Sequence, residues 1–298
     1  MTQIKRSYHP GSDWIYYKIY TGPKTADLLL TNLIKPVVDK LYKKDIIEKW
    51  FFIRYTDPKF HLRVRFKATN LSDVGTIISE FSTQLNSFIE EDLVWKIQLD
   101  TYQREIERYG LYTMEASETL FFYDSEMIIQ LLDLIDDSDE GEEIRWLFGI
   151  RAINALLDDF SFSEENKLLL LEQLKINFCA EFNMNRFLKK QLDRKFIEHE
   201  KKIMQFIDMS KDDISELTSL INIIHKKSNN STSAINDITN LIEPEKLNSF
   251  LGSHIHMIMN RLFRSKNRLY EMVVYYFLFK HYKASIGKRK YKMKLIAS

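Results

Sequence analysis

Strict alternation over Phe60-His61-Leu62-Arg63-Val64-Arg65-Phe66 constrains this chain more than any other feature. A two-residue period belongs to a β-strand, whose side chains point to opposite faces in turn. It puts Phe60, Leu62, Val64 and Phe66 on one face, for a core, and His61, Arg63 and Arg65 on the other. Two guanidinium groups two residues apart on a rigid strand form a preorganised anion clamp, because the planar fork of arginine binds carboxylate in bidentate fashion. The plain alternative is the solvated face of a half-exposed sheet.

The flanking segments place that strand in a small α/β unit. Residues 14–20 (WIYYKIY) are aromatic and β-branched, a strand by composition, and Gly22-Pro23 ends it. Residues 24–43 have helical spacing, with Pro36 expected to kink or interrupt the helix. Residues 50–55 form a second strand, the turn Thr56-Asp57-Pro58 leads into the alternating one, 71–92 read as a helix and 93–102 as a fourth strand. The order β-α-β-β-α-β is that of a ferredoxin-like unit. From Ser117 the pattern is almost wholly helical, over 124–135, 142–157, 164–188, 194–209, 212–226, 244–263 and 269–283, with 229–239 opening as a polar loop. The expected fold is α+β: a sheet lobe over 1–115 and a helical lobe over 116–298, within one continuous domain.

Two further constellations stand out. In residues 100–110 (DTYQREIERYG), Arg104 and Arg108 are four apart, so a helix would put them on one face with Glu105 beside them; the alternative is a salt-bridged surface turn. In residues 253–262 (SHIHMIMNRL), His256 and Asn260 are spaced i, i+4, so Asn260 can orient an imidazole suited to proton transfer. The alternative is a hydrogen-bonded structural histidine. His254 and His256 fall on different faces of a helix, which argues against a two-histidine metal site.

Other classes are poorly served. The 43 Lys+Arg against 42 Asp+Glu leave a net charge of +1, with no global field for nucleic acid or an anionic membrane. The single cysteine, Cys179, excludes an internal disulfide and a paired-thiol metal site; in its apolar helical context it reads as buried and inert, and a reducing cytoplasm is the expected setting. No run of 18 apolar residues is present, nor a phosphate loop, a dinucleotide fingerprint or a nucleophile elbow. No signal peptide is read at the polar N-terminus.

The same segments carry a family resemblance. Residues 14–22, 50–55, 57–66, 100–110, 120–125 (LFFYDS) and 256–262 (HMIMNRL) resemble, in order, signatures of the C-terminal elimination domain of lantibiotic dehydratases, which also occurs as a separate thiopeptide-type bacteriocin biosynthesis protein. The resemblance runs from about residue 14 to about 280. It implies a lyase that needs no metal or organic cofactor. In this family a partner protein esterifies Ser or Thr of a precursor peptide using glutamyl-tRNA, and the elimination protein removes the Cα proton and expels glutamate, leaving dehydroalanine or dehydrobutyrine.

Carried onto this sequence, the resemblance implies Arg63, Arg65, Arg108 and His256 as catalytic, with Glu105, Arg104, His61 and Asn260 as substrate-binding candidates. His256 is left open between base at Cα and acid at the leaving carboxylate. The implied partners are the glutamylated precursor peptide and a separate glutamylation protein; direct nucleic-acid binding is not expected, and a homodimer is left open. One departure concerns Leu111, which follows Gly110 where the family often has a second glycine, putting the geometry around Arg108 in question. The glutamylation domain is not found in the sequence, so the expected form is the stand-alone one. Two other functions remain: a [4+2] pyridine-forming cyclase, a branch that dispenses with the arginine and histidine set, and a non-catalytic precursor-binding subunit.

Overall fold

The computed structural model describes residues 4–210 and 217–296. They form an α+β protein that divides into two compact units. The first comprises Met1–Ile135 with Asn230–Glu243 and Asn260–Ser265; the second comprises Asp136–Asn229, Pro244–Met259 and Lys266–Ser298.

The first unit is built on four antiparallel strands. These are β2 (Trp14–Tyr20), β3 (Ile47–Thr56), β4 (Phe60–Ala68) and β5 (Lys96–Asp100), in the order β3-β4-β2-β5. The first and third strands of the set are central and the second and fourth lie at the edges. That is the arrangement of the expected ferredoxin-like unit. A two-stranded ribbon, β1 (Ser7–Tyr8) with β6 (Tyr102–Gln103), stands beside it, so residues 93–102 are not one continuous strand. Helices α1 (Thr25–Leu29), α2 (Lys35–Lys43) and α3 (Val74–Glu90) make the crossovers. Pro36 does not break the first crossover. It falls in the first turn of α2, where a missing N–H is tolerated, after a π-helical turn at Leu30–Ile34.

The face bearing Val64 and Phe66 is core, as alternation requires. Tyr17, Phe66 and Phe81 of α3 pack ring to ring, at 4.6 Å between Tyr17 and Phe81 and 5.5 Å between Phe66 and Phe81. The opposite face is only partly solvated: His61 is 1% exposed and Arg65 7%, with Arg63 half-buried between them. After the short α4 (Ile106–Tyr109), α5 (Met114–Leu132) runs along β3, where Ser125 Oγ accepts from Phe52 N at 3.2 Å and the Trp50 indole N–H donates to Glu126 at 2.5 Å.

Helices make up the second unit: α6 (Asp139–Asp159), α7 (Glu164–Glu181), α8 (Arg186–Asp208) and α11 (Asn267–Ile296), with parts of α9 (Thr218–Leu241) and α10 (Pro244–Leu262). The single helix expected over 164–188 is two. Asn183 takes a positive φ of 47°, and Asn185 caps α8 by accepting from the N–H groups of Phe187 and Leu188, both at 2.9 Å. The first residues of the helix expected over 212–226 lie outside the described residues, and the rest of that span falls in α9. The polar loop expected to open residues 229–239 is helical within α9, because Ala234, Ile235 and Ile238 form a buried stripe that outweighs the weak propensity of Asn, Ser and Thr. Cys179, expected to be buried, is half-buried, and burial raises its pKa.

Phe81→Ala removes a fully buried ring from the main aromatic contact of the first unit. It should cost about 3–5 kcal/mol of unfolding free energy, measured by urea denaturation.

Candidate active site

Arg65 sits at the centre of the polar sheet face. Register places it opposite Tyr16 on one side and Phe51 on the other. Its guanidinium carbon lies 4.3 Å from the Tyr16 ring, 4.8 Å from Tyr102 and 5.1 Å from Phe51. Three rings stabilise a cation through their quadrupoles, but none accepts a hydrogen bond in place of a carboxylate. Among the described residues, neither Nε nor Nη1 of Arg65 has an acceptor. Burial holds its pKa below the usual arginine range, with the Tyr16 and Tyr102 phenols acting against that. The Tyr16 hydroxyl, also buried and without a partner among the described residues, has its pKa raised by burial and so remains a neutral donor. A buried guanidinium and a buried phenol thus keep donors that no described acceptor takes up.

Arg63, two residues earlier, lies over the Tyr55 ring at 3.4 Å. His61 holds it there. The imidazole Nδ1 is 2.8 Å from the Lys59 carbonyl, so Nδ1 donates and Nε2 accepts from Arg63 Nε at 3.1 Å. Tyr20 and Tyr55 flank the ring at 4.7 and 5.5 Å. Burial lowers the His61 pKa, which suits its role as an acceptor for a cation.

Arg104 and Arg108 do not share a helical face. Helix α4 starts at Ile106, and Arg104 precedes it, buried at 3%. Arg104 forms a bidentate pair with Glu118, Nε to Oε1 and Nη2 to Oε2, each 2.7 Å, while Tyr102 OH donates to the same carboxylate at 2.8 Å. Its guanidinium is therefore committed within the fold. Arg108 is half exposed and 3.1 Å from Glu105, itself exposed. Gly110 takes φ +80°, and a Cβ there would run into Thr113 Oγ1, so this position requires glycine. Leu111 is not among the described residues of positive φ. The family departure at Leu111 therefore falls where the backbone does not need a glycine.

Asn260 uses both amide atoms on a backbone: Oδ1 accepts from Arg54 N at 2.9 Å and Nδ2 donates to Arg54 O at 2.8 Å. It fastens β3 to the Asn260–Ser265 segment instead of orienting an imidazole, because a primary amide matches one peptide unit in both directions. Its neighbour Arg261, missed in the sequence, is fully buried over Phe121 at 5.1 Å, with Asp124 3.9 Å away. Burial pushes its pKa down to about 10; Asp124 and Tyr109 oppose the shift and Arg65 adds to it. The available signal was an arginine three residues after Ile258 on an apolar helical stripe, a place where charge is rarely found unless used.

In the second unit, His256 is partnered by Glu271. Nδ1 lies 2.9 Å from Oε1 and 3.0 Å from Oε2 of that carboxylate. Glu271 also escaped the sequence reading; its signal is a lone acid inside the apolar run Glu271-Met272-Val273-Val274-Tyr275. Among the described residues, no group of three or more His, Cys, Asp or Glu side chains is placed to hold a metal ion. No described helix is long and apolar enough to cross a membrane.

The family model described as "Lantibiotic biosynthesis dehydratase C-term" matches residues 14–282. The chain belongs to this family. Among relatives of the lantibiotic dehydratase C-terminal domain, the nisin biosynthesis protein NisB of Lactococcus lactis subsp. lactis is 28% identical over 275 residues, covering 92% of this chain and 26% of NisB. The subtilin biosynthesis protein SpaB of Bacillus subtilis is 30% identical over 182 residues, covering 59% of this chain and 17% of SpaB. The chain thus spans about a quarter or less of these relatives. The tRNA-dependent lantibiotic dehydratase MibB from Microbispora sp. 107891 shares the fold with a TM-score of 0.72 at 19% identity, over 95% of this chain and 29% of MibB. The pyridine synthase TbtD from thiomuracin biosynthesis matches with a TM-score of 0.62 at 10% identity, over 91% of this chain and 97% of TbtD.

Arg65→Met should leave stability unchanged or raise it by about 1–4 kcal/mol in urea unfolding, since an apolar side chain replaces a buried charge that lacks a carboxylate partner. The lowered pKa of His61 gives a second expectation. Below its ordinary value of 6.5 the unfolded chain takes up the proton first, so stability present above that pH is lost as pH falls. His61→Gln should flatten the slope of unfolding free energy against pH below 6.5, though not abolish it, because His281 is shifted the same way.

Proposed function

We propose that this chain eliminates glutamate from glutamylated Ser or Thr of a ribosomal precursor peptide, a lyase step giving dehydroalanine or dehydrobutyrine. The observation that carries the reading is Arg65, a buried guanidinium held by aromatic rings with hydrogen-bond donors left over, in a chain of the lantibiotic dehydratase family. Burying a charge without a carboxylate costs several kcal/mol, and an anionic substrate offsets that cost. The glutamyl ester carries one free carboxylate and releases a second. Arg63 and Arg65 bind the first and stabilise the second as it forms, each charge-assisted hydrogen bond contributing about 1.5–3 kcal/mol. His256 transfers the proton, a contribution of roughly 10²–10⁴-fold. The exposed Arg108, with Glu105, takes an outer part of the substrate.

The proposed partners are the precursor peptide and a glutamylation activity that uses glutamyl-tRNA; the proposed setting is the cytoplasm. A pyridine-forming cyclase is the second reading, favoured by the end-to-end fold match to TbtD. The arginine and histidine set weighs against it.

Co-expression of wild type, Arg63→Ala, Arg65→Ala and His256→Ala with a glutamylating partner and its precursor tests the reading by intact peptide mass. Wild type should give dehydrated peptide, and each variant should accumulate glutamyl adducts, with elimination slowed about 10²-fold or more. Identical dehydrated product from all four would exclude the assigned residues. Adducts left intact by wild type, together with macrocyclisation of a dehydroalanine-rich peptide, would favour the cyclase.

A further inference from the structure

Glu271 is completely buried near the start of α11. A carboxylate taken out of water costs several kcal/mol unless donors replace its hydration. Three side chains of the second unit supply them: His256 through Nδ1 at 2.9 and 3.0 Å, Tyr275 through its hydroxyl at 3.2 Å, and Arg268 through Nη1 at 3.5 Å. Arg268 is itself fixed, stacked over Phe178 at 4.1 Å and bonded to Glu181 through Nε at 3.1 Å. The Tyr275 phenol is pushed well above its ordinary pKa, by burial first and Glu271 second, so it stays a donor.

A carboxylate only accepts hydrogen bonds. The imidazole must therefore donate from Nδ1, and a neutral ring with its proton on Nδ1 has a lone pair on Nε2. The His256 side chain is 27% exposed, and Nε2 makes no hydrogen bond to a described residue. The ring thus has one edge locked on a buried anion and the other open.

We propose that Glu271 is the positioning residue of the elimination, holding His256 as the Nδ1–H tautomer so that Nε2 is the base that removes the Cα proton. The assignment rests on the elimination reading and decides between the two roles open to His256. The Cα–H proton passes to Nε2, its electron pair becomes the Cα=Cβ bond, and the Cβ–O bond breaks with its pair leaving on the glutamate carboxylate. The imidazolium so formed lies against Glu271, which stabilises it where the charge appears, and the proton is then released to solvent.

Glu271→Gln preserves size and burial, but its amide can donate as well as accept, so the tautomer is no longer dictated. Two readouts are combined: ¹⁵N NMR of His256 well above the ordinary imidazole pKa of about 6.5, and steady-state elimination from a purified glutamylated peptide. Wild type should show a pyrrole-like Nδ1 and a pyridine-like Nε2. The variant should lose that preference, with kcat down about 10- to 100-fold and KM little changed. Undiminished kcat in Glu271→Gln, or a lowered kcat with the tautomer intact, overturns the proposal. An Nε2–H tautomer in wild type overturns it even if the variant fails to fold. Failure of the elimination reading itself shows separately, as wild type leaving the glutamylated peptide unchanged.

Discussion

A guanidinium buried on a sheet with no carboxylate partner among the described residues is the constraint around which the first unit is organised. Arg65 is fixed by the register of β4 between β2 and β3, so it cannot move to water without breaking the central strand pairing. The rings of Tyr16, Phe51 and Tyr102 are what make that position tolerable. Rings stabilise a cation without using up its N–H groups, whereas a carboxylate would do both. The contrast with Arg104 makes the point within the same unit. Arg104 is as deeply buried, yet Glu118 takes its donors in a bidentate pair, which holds chain to chain and leaves nothing for a ligand.

Arg63 and His61 extend the same logic. An imidazole kept neutral by burial accepts from Arg63 Nε and aims the rest of the guanidinium, while Tyr55 supports its flat face. Neither contact neutralises the charge. The sheet face therefore has rigid geometry together with unspent hydrogen-bonding capacity, the combination needed to bind an anion and stabilise a developing one. In the second unit His256 is treated the opposite way. Its partner is a full carboxylate, which holds the ring by Nδ1 and would stabilise its charged form.

Much of this was legible in the chain. The period-2 run of residues 60–66 predicted β4 and its two faces, since strand geometry depends only on local alternation. Residues 14–20 and 50–55 were recognisable as strands from β-branched and aromatic content. Where local signals compete, reading was poorer. The weak helix formers of 229–239 suggested a loop, but the buried Ala234, Ile235 and Ile238 made it helix. The span 164–188 read as one helix although Asn183 and Asn185 hold the chemistry of a break.

Sequence alone determined the α+β class, the β-α-β-β-α-β order of elements along the chain and the arginine-bearing face, because each follows from periodicity and turn chemistry within a few residues. Only the tertiary structure decided what each polar group does. Asn260 turns to the Arg54 backbone, Arg104 to Glu118, Arg65 to three rings and His256 to Glu271, and every one of these partners lies 14 or more residues away in the chain. The burial that makes an unpaired arginine costly, and a paired histidine directional, exists only once those distant segments have packed.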